Sequence, residues 1–551
     1  NEDIVFLRFD PYLDARSVYL LASNAYGSQS DIRAKQATSD DERYDSSFNA
    51  IYETISSIND DGYTIEFLIP FSSIPHPKGE DKTWGFNVTR YFTLDGNGVF
   101  TMSDKYDRDN PCRICQIEGR LIMIDVPFKR NTELLPYISS NLSGERVSDG
   151  QPIEYGKSKN EFGIGIKYDI NSSSTAELTI NPDFSQVEAD VTKIDINTPT
   201  AINYPEKRPF FNRGIDLFNY SLDVFYTRAI NNPSFASKIL NQSKKSRLYI
   251  LSAVDKDSPY LVPTHYESFS GVGGRSFNNV IRYEHLINQN TRFGGLVSNR
   301  LYEGDAYGNL IGINGLVNFN SSWKLRLEYF KNSNQEPIAD WIDSDKTFSN
   351  YSVKLDGEKF SGHAFYSELR RETLNWRSFV RYTNISPTFR SDLGFITQND
   401  VKKYEIWHGY YSFPDTQLLK NYRLSAKYDR EYNYDNSLKV SAIQAYFTFL
   451  TIYNTNVFYN YEYDFYNSHL MSEFKDYVNH YSRLSTRPFE FMNIQMSYAW
   501  GKDIAYREAI PELGIRSNLD FQMAVNVNNN LRVTPSINFE KLKKIDFNEY
   551  F

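Results

Sequence analysis

The chain is almost without cysteine: two in 551 residues, Cys112 and Cys115, set as one C-x-x-C. Such a motif can be a redox pair, half of a metal site or a local disulfide. No further Cys or His lies nearby to complete a zinc site, and no strand–helix setting favours redox chemistry. A small structural disulfide, or two idle thiols, is the expectation. The seven histidines (His76, His265, His285, His363, His408, His469 and His480) are scattered, with no two at ligand spacing in one element. His-Glu-x-x-His, Gly-x-Ser-x-Gly and a phosphate-cradling loop are all missing. Gly271-Val272-Gly273-Gly274 lacks the Lys-Ser/Thr of a P-loop. A basic excess is missing too: the net charge is -9, which argues against nucleic acid as a partner. No apolar run reaches the roughly 18 residues a membrane-crossing helix needs, which excludes only the helical way across.

Aromatic residues are abundant instead. There are 42 Tyr and 39 Phe, 16% of the chain being Phe, Trp or Tyr, yet the mean hydropathy is a polar -0.55. A transmembrane β-barrel has this composition for a physical reason. Each strand turns one face to lipid and one to a wet lumen, and aromatics gather at the lipid–water boundaries. A large soluble all-β protein is the other class that fits.

Strict alternation marks strands along most of the chain. It is clear in Trp323-Lys324-Leu325-Arg326-Leu327-Glu328-Tyr329, in 422–428, in 492–500 and in 519–527, where Asn528-Asn529-Asn530 turns into a second alternating run, 531–539. Soluble strands average about five or six residues, whereas a tilted membrane strand needs about 9–11, so the long runs favour the membrane. Polar stretches at 251–270 and 332–346 are read as long loops of one barrel side. Residues 1–127 read as a compact β-sandwich, through Gly62–Phe71 and Trp84–Tyr91, and alternation restarts at Glu133. The expected architecture is all-β: a sandwich at 1–127, then a transmembrane antiparallel barrel at 128–551 with about 16–20 strands. Because the chain opens within a strand-like segment, it is read as a fragment cut at both ends. With an even strand number, both barrel ends and the module would face the periplasm.

Two blocks carry a family resemblance. One is Asn181-Pro182-Asp183-Phe184-Ser185-Gln186-Val187-Glu188-Ala189-Asp190 with Pro205-Glu206-Lys207-Arg208-Pro209-Phe210-Phe211 and Phe225-Tyr226-Thr227-Arg228. The other is Ile385-Ser386-Pro387-Thr388-Phe389-Arg390-Ser391-Asp392-Leu393-Gly394-Phe395. Together with Phe9-Asp10-Pro11-Tyr12, Ile69-Pro70-Phe71 and Trp84-Gly85-Phe86-Asn87, they resemble Bacteroidota outer-membrane proteins. That family joins a module like carbohydrate-binding family 9 to a C-terminal barrel domain of unknown function, the DUF5916 type. The resemblance implies an outer-membrane protein with a periplasmic, sugar-binding-like module. Where the family tends to carry two arginines, this chain has Arg228 then Ala229, which weakens any role for the second.

The candidate ligand-binding residues are Trp84, Asp183, Glu188, Asp190, Glu206, Lys207, Arg208 and Arg228. The charged block reads either as a binding or gating surface in the lumen or as a salt-bridged brace of the barrel, and the brace is the commoner arrangement. Trp84 could stack on a sugar ring, but it heads an alternating strand, where a core role is commoner. Asp10, Asp14 and Asp31 could hold a calcium ion, although solvated loop carboxylates explain them as well. No other cofactor and no catalytic residue is expected. Three functions compete. The first is a barrel that binds or passes glycans or other nutrients, its partners being outer-membrane lipid and oligosaccharide. The second is a structural scaffold of a surface complex. The third is a glycosidase-associated protein, which would need two carboxylates facing across an open cleft.

Overall fold

The computed structural model describes the whole chain except residues 1–2, 14–16, 36–43, 46–47, 49, 78, 95–96, 105–116, 127–129, 143, 147–149, 151, 183–198, 205, 207, 289–290, 321, 415, 417, 452–454, 471, 490, 507, 509, 529–530 and 546–551. The fold is all-β, and among the described residues the helical turns are short, within 209–229 and at Phe71–Ser73.

The N-terminal unit is a seven-stranded antiparallel sheet covered by one hairpin, Glu53–Asn59 with Gly62–Leu68. Alternation explains the two layers. In the strand Ser17–Asn24, Tyr19 and Leu21 meet Phe9, Trp84 and, from the hairpin side, Ala50 and Tyr52. Val18 and Leu20 face the other way, into a smaller cluster with Ala34. The unit's last sheet strand is Arg120–Met123.

The rest is one 20-stranded antiparallel sheet built almost wholly of sequential hairpins, from Thr132–Asn141 to Ser536–Lys544. Its two outermost strands are not paired to each other among the described residues. The sheet is nevertheless strongly curled. The connection after Ser246–Asp255 reaches strands far along the order: Tyr266 Oη lies 3.3 Å from Ser468 Oγ, and Lys439 Nζ donates to the His265 carbonyl at 2.5 Å.

Turns differ between the two sheet edges. One edge has tight turns, such as 172–173, 243–245 and 373–375. The other carries 199–232, 256–275, 336–358 and 386–400. Two loops read from the sequence are corrected here. The stretch 251–270 starts inside the strand Ser246–Asp255 and holds a hairpin of its own, Ser258–Pro263 with Ser268–Gly273. The stretch 332–346 starts inside Trp323–Gln335, whose polar Asn332 and Asn334 are buried side chains of the strand rather than loop residues. The N-terminal unit sits at the tight-turn edge, where His76 N donates to the Ser172 carbonyl at 3.2 Å.

The strands are amphipathic in the inverse sense. Along Ser276–Asn288 the buried side chains are Ser276, Asn278, Val280, Arg282, Glu284 and Leu286, while Phe277, Ile281, Tyr283 and Ile287 are exposed. Trp323–Gln335 buries Glu328, Asn332 and Asn334 and exposes Trp323, Leu327 and Tyr329. Val401–Ser412 buries Glu405 and exposes Tyr404 and Ile406. In a water-soluble fold burial runs the other way.

Candidate functional site

An irregular segment, 199–232, lies against the polar face of the sheet. Its backbone cannot satisfy its own hydrogen bonds as a helix or strand would, so partners must come from elsewhere. The sheet supplies them with charged side chains. Lys238 donates to the carbonyls of Phe210 and Arg213, the latter at 3.2 Å. Arg282 Nε donates to the Leu217 carbonyl at 3.0 Å, Arg326 to the Asn219 carbonyl at 3.3 Å, and Arg300 to the Ala229 carbonyl. Both carboxylate oxygens of Glu328 accept from Ser221 N at 2.9 Å. Asp255 accepts from Asn231 N and Asn232 N at 2.9 and 2.7 Å. The second inward segment, 386–400, closes over it. Ser391 Oγ donates to the Val224 carbonyl at 2.7 Å, and Tyr226 N to the Leu393 carbonyl at 2.7 Å. Phe211, Phe218, Val224, Ile230, Phe389 and Leu393 form the apolar centre of this inner filling.

Beside the filling runs a row of charge set by strand register. Arg326 pairs with Glu368, Glu368 with Arg381, Arg381 with Glu405, and Glu405 with Asp429, each directly across from the next. The Glu368 carboxylate receives Arg370 and Arg381 at 2.8 Å and the Tyr366 hydroxyl at 3.1 Å. Lys427 stands between Glu405 at 3.3 Å and Asp429 at 2.8 Å. Carried through the register from Lys427, the row passes Gln444, Glu462, Asn479, Gly501 and Arg516, and further along the same face Gln495 stands across from Gln522. Of these Gln495 and Gln522 are exposed, so the inner filling covers one side of the face and leaves the other open.

At the tight-turn edge, a cavity of about 460 Å³ separates the N-terminal unit from the sheet. The unit contributes Tyr19, Arg33, Phe71 and His76; the sheet and inner segment contribute Asn171, Thr175 and Arg213. Its wall carries four arginines, Arg33, Arg130, Arg213 and Arg247. Asp216 of the inner segment faces Arg33 at 3.2 Å and also pairs with Arg247. Arg213 leans on Glu177 at 3.4 Å and Thr175 Oγ1 at 3.2 Å. Volumes of roughly 300–1,000 Å³ are those of small-molecule sites.

The candidates named from sequence divide as follows. Trp84 is a core residue, 3% exposed, its ring meeting Phe9 at 5.9 Å, Phe71 at 6.0 Å and His76 at 5.5 Å. It therefore offers no stacking face to a sugar. Glu206 and Arg208 form a buried two-pronged pair at 2.8 and 2.6 Å. Arg208 also donates to the carbonyls of Thr227 and Ile230 at 2.8 and 2.6 Å, and its guanidinium covers the Phe211 ring at 4.2 Å. This pair is a brace of the inner segment. Arg228 stacks over Tyr204 at 6.0 Å. Asp10 accepts from Leu13 N at 2.9 Å and Asp31 from Ala50 N at 2.5 Å, each in its own local contact. Asp14, Cys112, Cys115, Asp183, Glu188, Asp190 and Lys207 lie outside the described residues. Glu177, Asp216, Glu368, Arg381 and Glu405 were not singled out from sequence. For the four in strands the only local signal is charge at alternate positions; Asp216 lies in the helical turn Ile215–Phe218 and has no such signal.

Residues 131–252 match the family described as "Domain of unknown function (DUF5916)", which covers the first strands of the large sheet and the inner segment. No curated protein matches the chain.

Proposed function

We propose that the chain is an outer-membrane β-barrel protein that passes or binds glycans or similar polar nutrients, with the N-terminal unit as a periplasmic receiver. The observation that carries this reading is the inverse amphipathicity: Phe277, Ile281, Tyr404 and Ile406 are exposed while Arg282, Glu284 and Glu405 are buried. That pattern suits a wall with lipid outside and a polar lumen inside. In this reading the sheet closes into a barrel. The tight turns face the periplasm, as short turns do in such barrels. The N-terminal unit, at that edge, is then periplasmic, in keeping with the resemblance to a family 9 carbohydrate-binding module in Bacteroidota proteins. The junction cavity, ringed with Tyr19, Asn171, Thr175 and arginines, suits a hydroxyl-rich solute. The uncovered part of the polar face at Gln495 and Gln522 supplies a polar path beside the inner filling.

We place no catalysis here. Glu368 and Glu405 pair with Arg and Lys within one wall rather than facing each other across a cleft, as a glycosidase requires. One observation favours the scaffold reading: the inner segment is tied to the wall at many points along 208–232, as a permanent filling would be.

Single-channel conductance of the full-length protein in planar bilayers separates the two. Steady conductance that oligosaccharides block is expected, rising when Arg208→Ala loosens the inner segment. A folded, inserted protein with no conductance would leave the scaffold reading in its place.

A further inference from the structure

The connection 336–358 is a folded object. Ile338–Ala339 pairs with Leu355–Asp356, and Thr347–Phe348 pairs with Tyr351–Ser352. Ile342, Phe348, Val353 and Leu355 are buried against Tyr260, Tyr302 and Phe360. Its base is closed by Glu336 N donating to the Glu358 carbonyl at 3.0 Å.

Three carboxylates meet at that base. Glu336, Asp356 and Glu358 each bring an oxygen within 4.8 Å of the others. An acidic cluster on a loop is ordinary when every member is solvated. Here one member is not. The Glu336 side chain is 0% exposed. Its Oε1 accepts from Arg390 at 2.7 Å, but its Oε2 has no hydrogen-bond partner among the described residues. The guanidinium that serves it is shared with Asp392 at 3.2 Å. Glu358 Oε2 already accepts from Ser352 N at 2.8 Å, so it is fixed in position. A buried carboxylate oxygen without a donor is costly. The base of the connection is short of positive charge.

We propose that Glu336, Asp356 and Glu358 hold a calcium ion. The ligands are all hard carboxylate oxygens, with no nitrogen or sulfur to favour zinc. Calcium takes six to eight oxygens at about 2.3–2.6 Å, so ligands on opposite sides lie up to about 5 Å apart. The spacing here falls within that span, and water completes the shell. The ion answers the unpaired Glu336 oxygen. It also pins the connection, through Arg390, to the inward segment 386–400. The site is on the edge opposite the N-terminal unit and does not depend on what the lumen passes.

The test uses the intact chain in detergent, with terbium as the probe and calcium chloride as competitor. Tyr260, whose hydroxyl receives Arg390 Nη2 at 2.5 Å, and Trp341 in the same cluster can sensitise terbium emission. Asp356 is exposed and Glu358 half-buried, so Asp356→Asn with Glu358→Gln leaves the core intact. Sensitised emission that calcium displaces is expected in the parent protein, weakened about tenfold or more in the double variant. Asp345→Asn, an exposed acid of the same connection, should leave it unchanged. A folded parent protein with no calcium-displaceable emission would overturn the site, and so would a double variant that binds as the parent does.

Discussion

Arg33 and Asp216 face each other at 3.2 Å with both side chains buried, one on the N-terminal sheet and one on the inner segment. Arg247 of the large sheet shares the same carboxylate. One acid therefore joins three parts of the chain that are distant in sequence. Asp216→Asn would remove one buried counter-charge that two guanidiniums share. Breaking a buried ion pair from one side costs about 3–5 kcal/mol. Urea unfolding of the detergent-solubilised protein should shift to lower midpoint by that order, and Arg33→Lys by less. An unchanged midpoint in Asp216→Asn would show that the three parts are joined elsewhere.

The charged row makes a second prediction. Glu368 is 7% exposed and receives Arg370, Arg381 and Tyr366. Surface ion pairs contribute little, but paired charges in one hydrogen-bonded network are coupled. In a double-mutant cycle, Glu368→Gln and Arg381→Gln should be non-additive by about 1–3 kcal/mol. Glu368→Gln paired with Lys475→Gln, a residue with 58% of its side chain exposed, should add simply. Additivity in both cycles would mean that the row is a set of solvated charges.

The strands were legible because their period is two. Trp323 to Tyr329 alternates at every step, and the structure places that run in Trp323–Gln335 with Glu328 inward and Leu327 outward. Alternation does not say which face is buried. Arg326 and Glu328 looked like the wet face, yet Glu328 is 2% exposed. Only the inner segment resting on them explains it. That segment has no period, because its backbone bonds go to side chains from distant strands, as from Lys238, Arg282 and Arg300. Its composition showed the charges; the partners became visible only once register was known. Glu206 and Arg208 were legible as a pair by proximity, two residues apart, whereas Asp216 and Arg33 had nothing local to link them. Spacing does not tell the calcium candidates apart: Asp10 and Asp31 lie as far apart in sequence as Glu336 and Asp356, yet the first two sit in separate contacts, while Glu336 meets Asp356 and Glu358 because the connection folds back.

The junction should respond to acid through His76. This side chain is 5% exposed, with Nδ1 2.8 Å from the Ile74 carbonyl and its ring against Trp84 and Phe71. Its backbone N–H makes the contact to Ser172 across the junction. Burial holds its pKa below the ordinary value; the Ile74 carbonyl opposes this in part, and nearby Lys82 adds to the depression. The sign follows from proton counting. Above about 6.5 the imidazole is neutral in both folded and unfolded chains and stability is full. As the pH falls below that value, the unfolded chain takes up a proton that the folded one refuses, so stability declines until the depressed folded pKa is reached. The unfolding midpoint should fall between pH 7 and pH 5, and the fall should be smaller in His76→Gln, which cannot titrate. Trp84 fluorescence follows the N-terminal unit, and limited proteolysis near residues 70–76 follows its seat on the sheet. An equal pH dependence in parent and His76→Gln would assign the acid response to carboxylates instead.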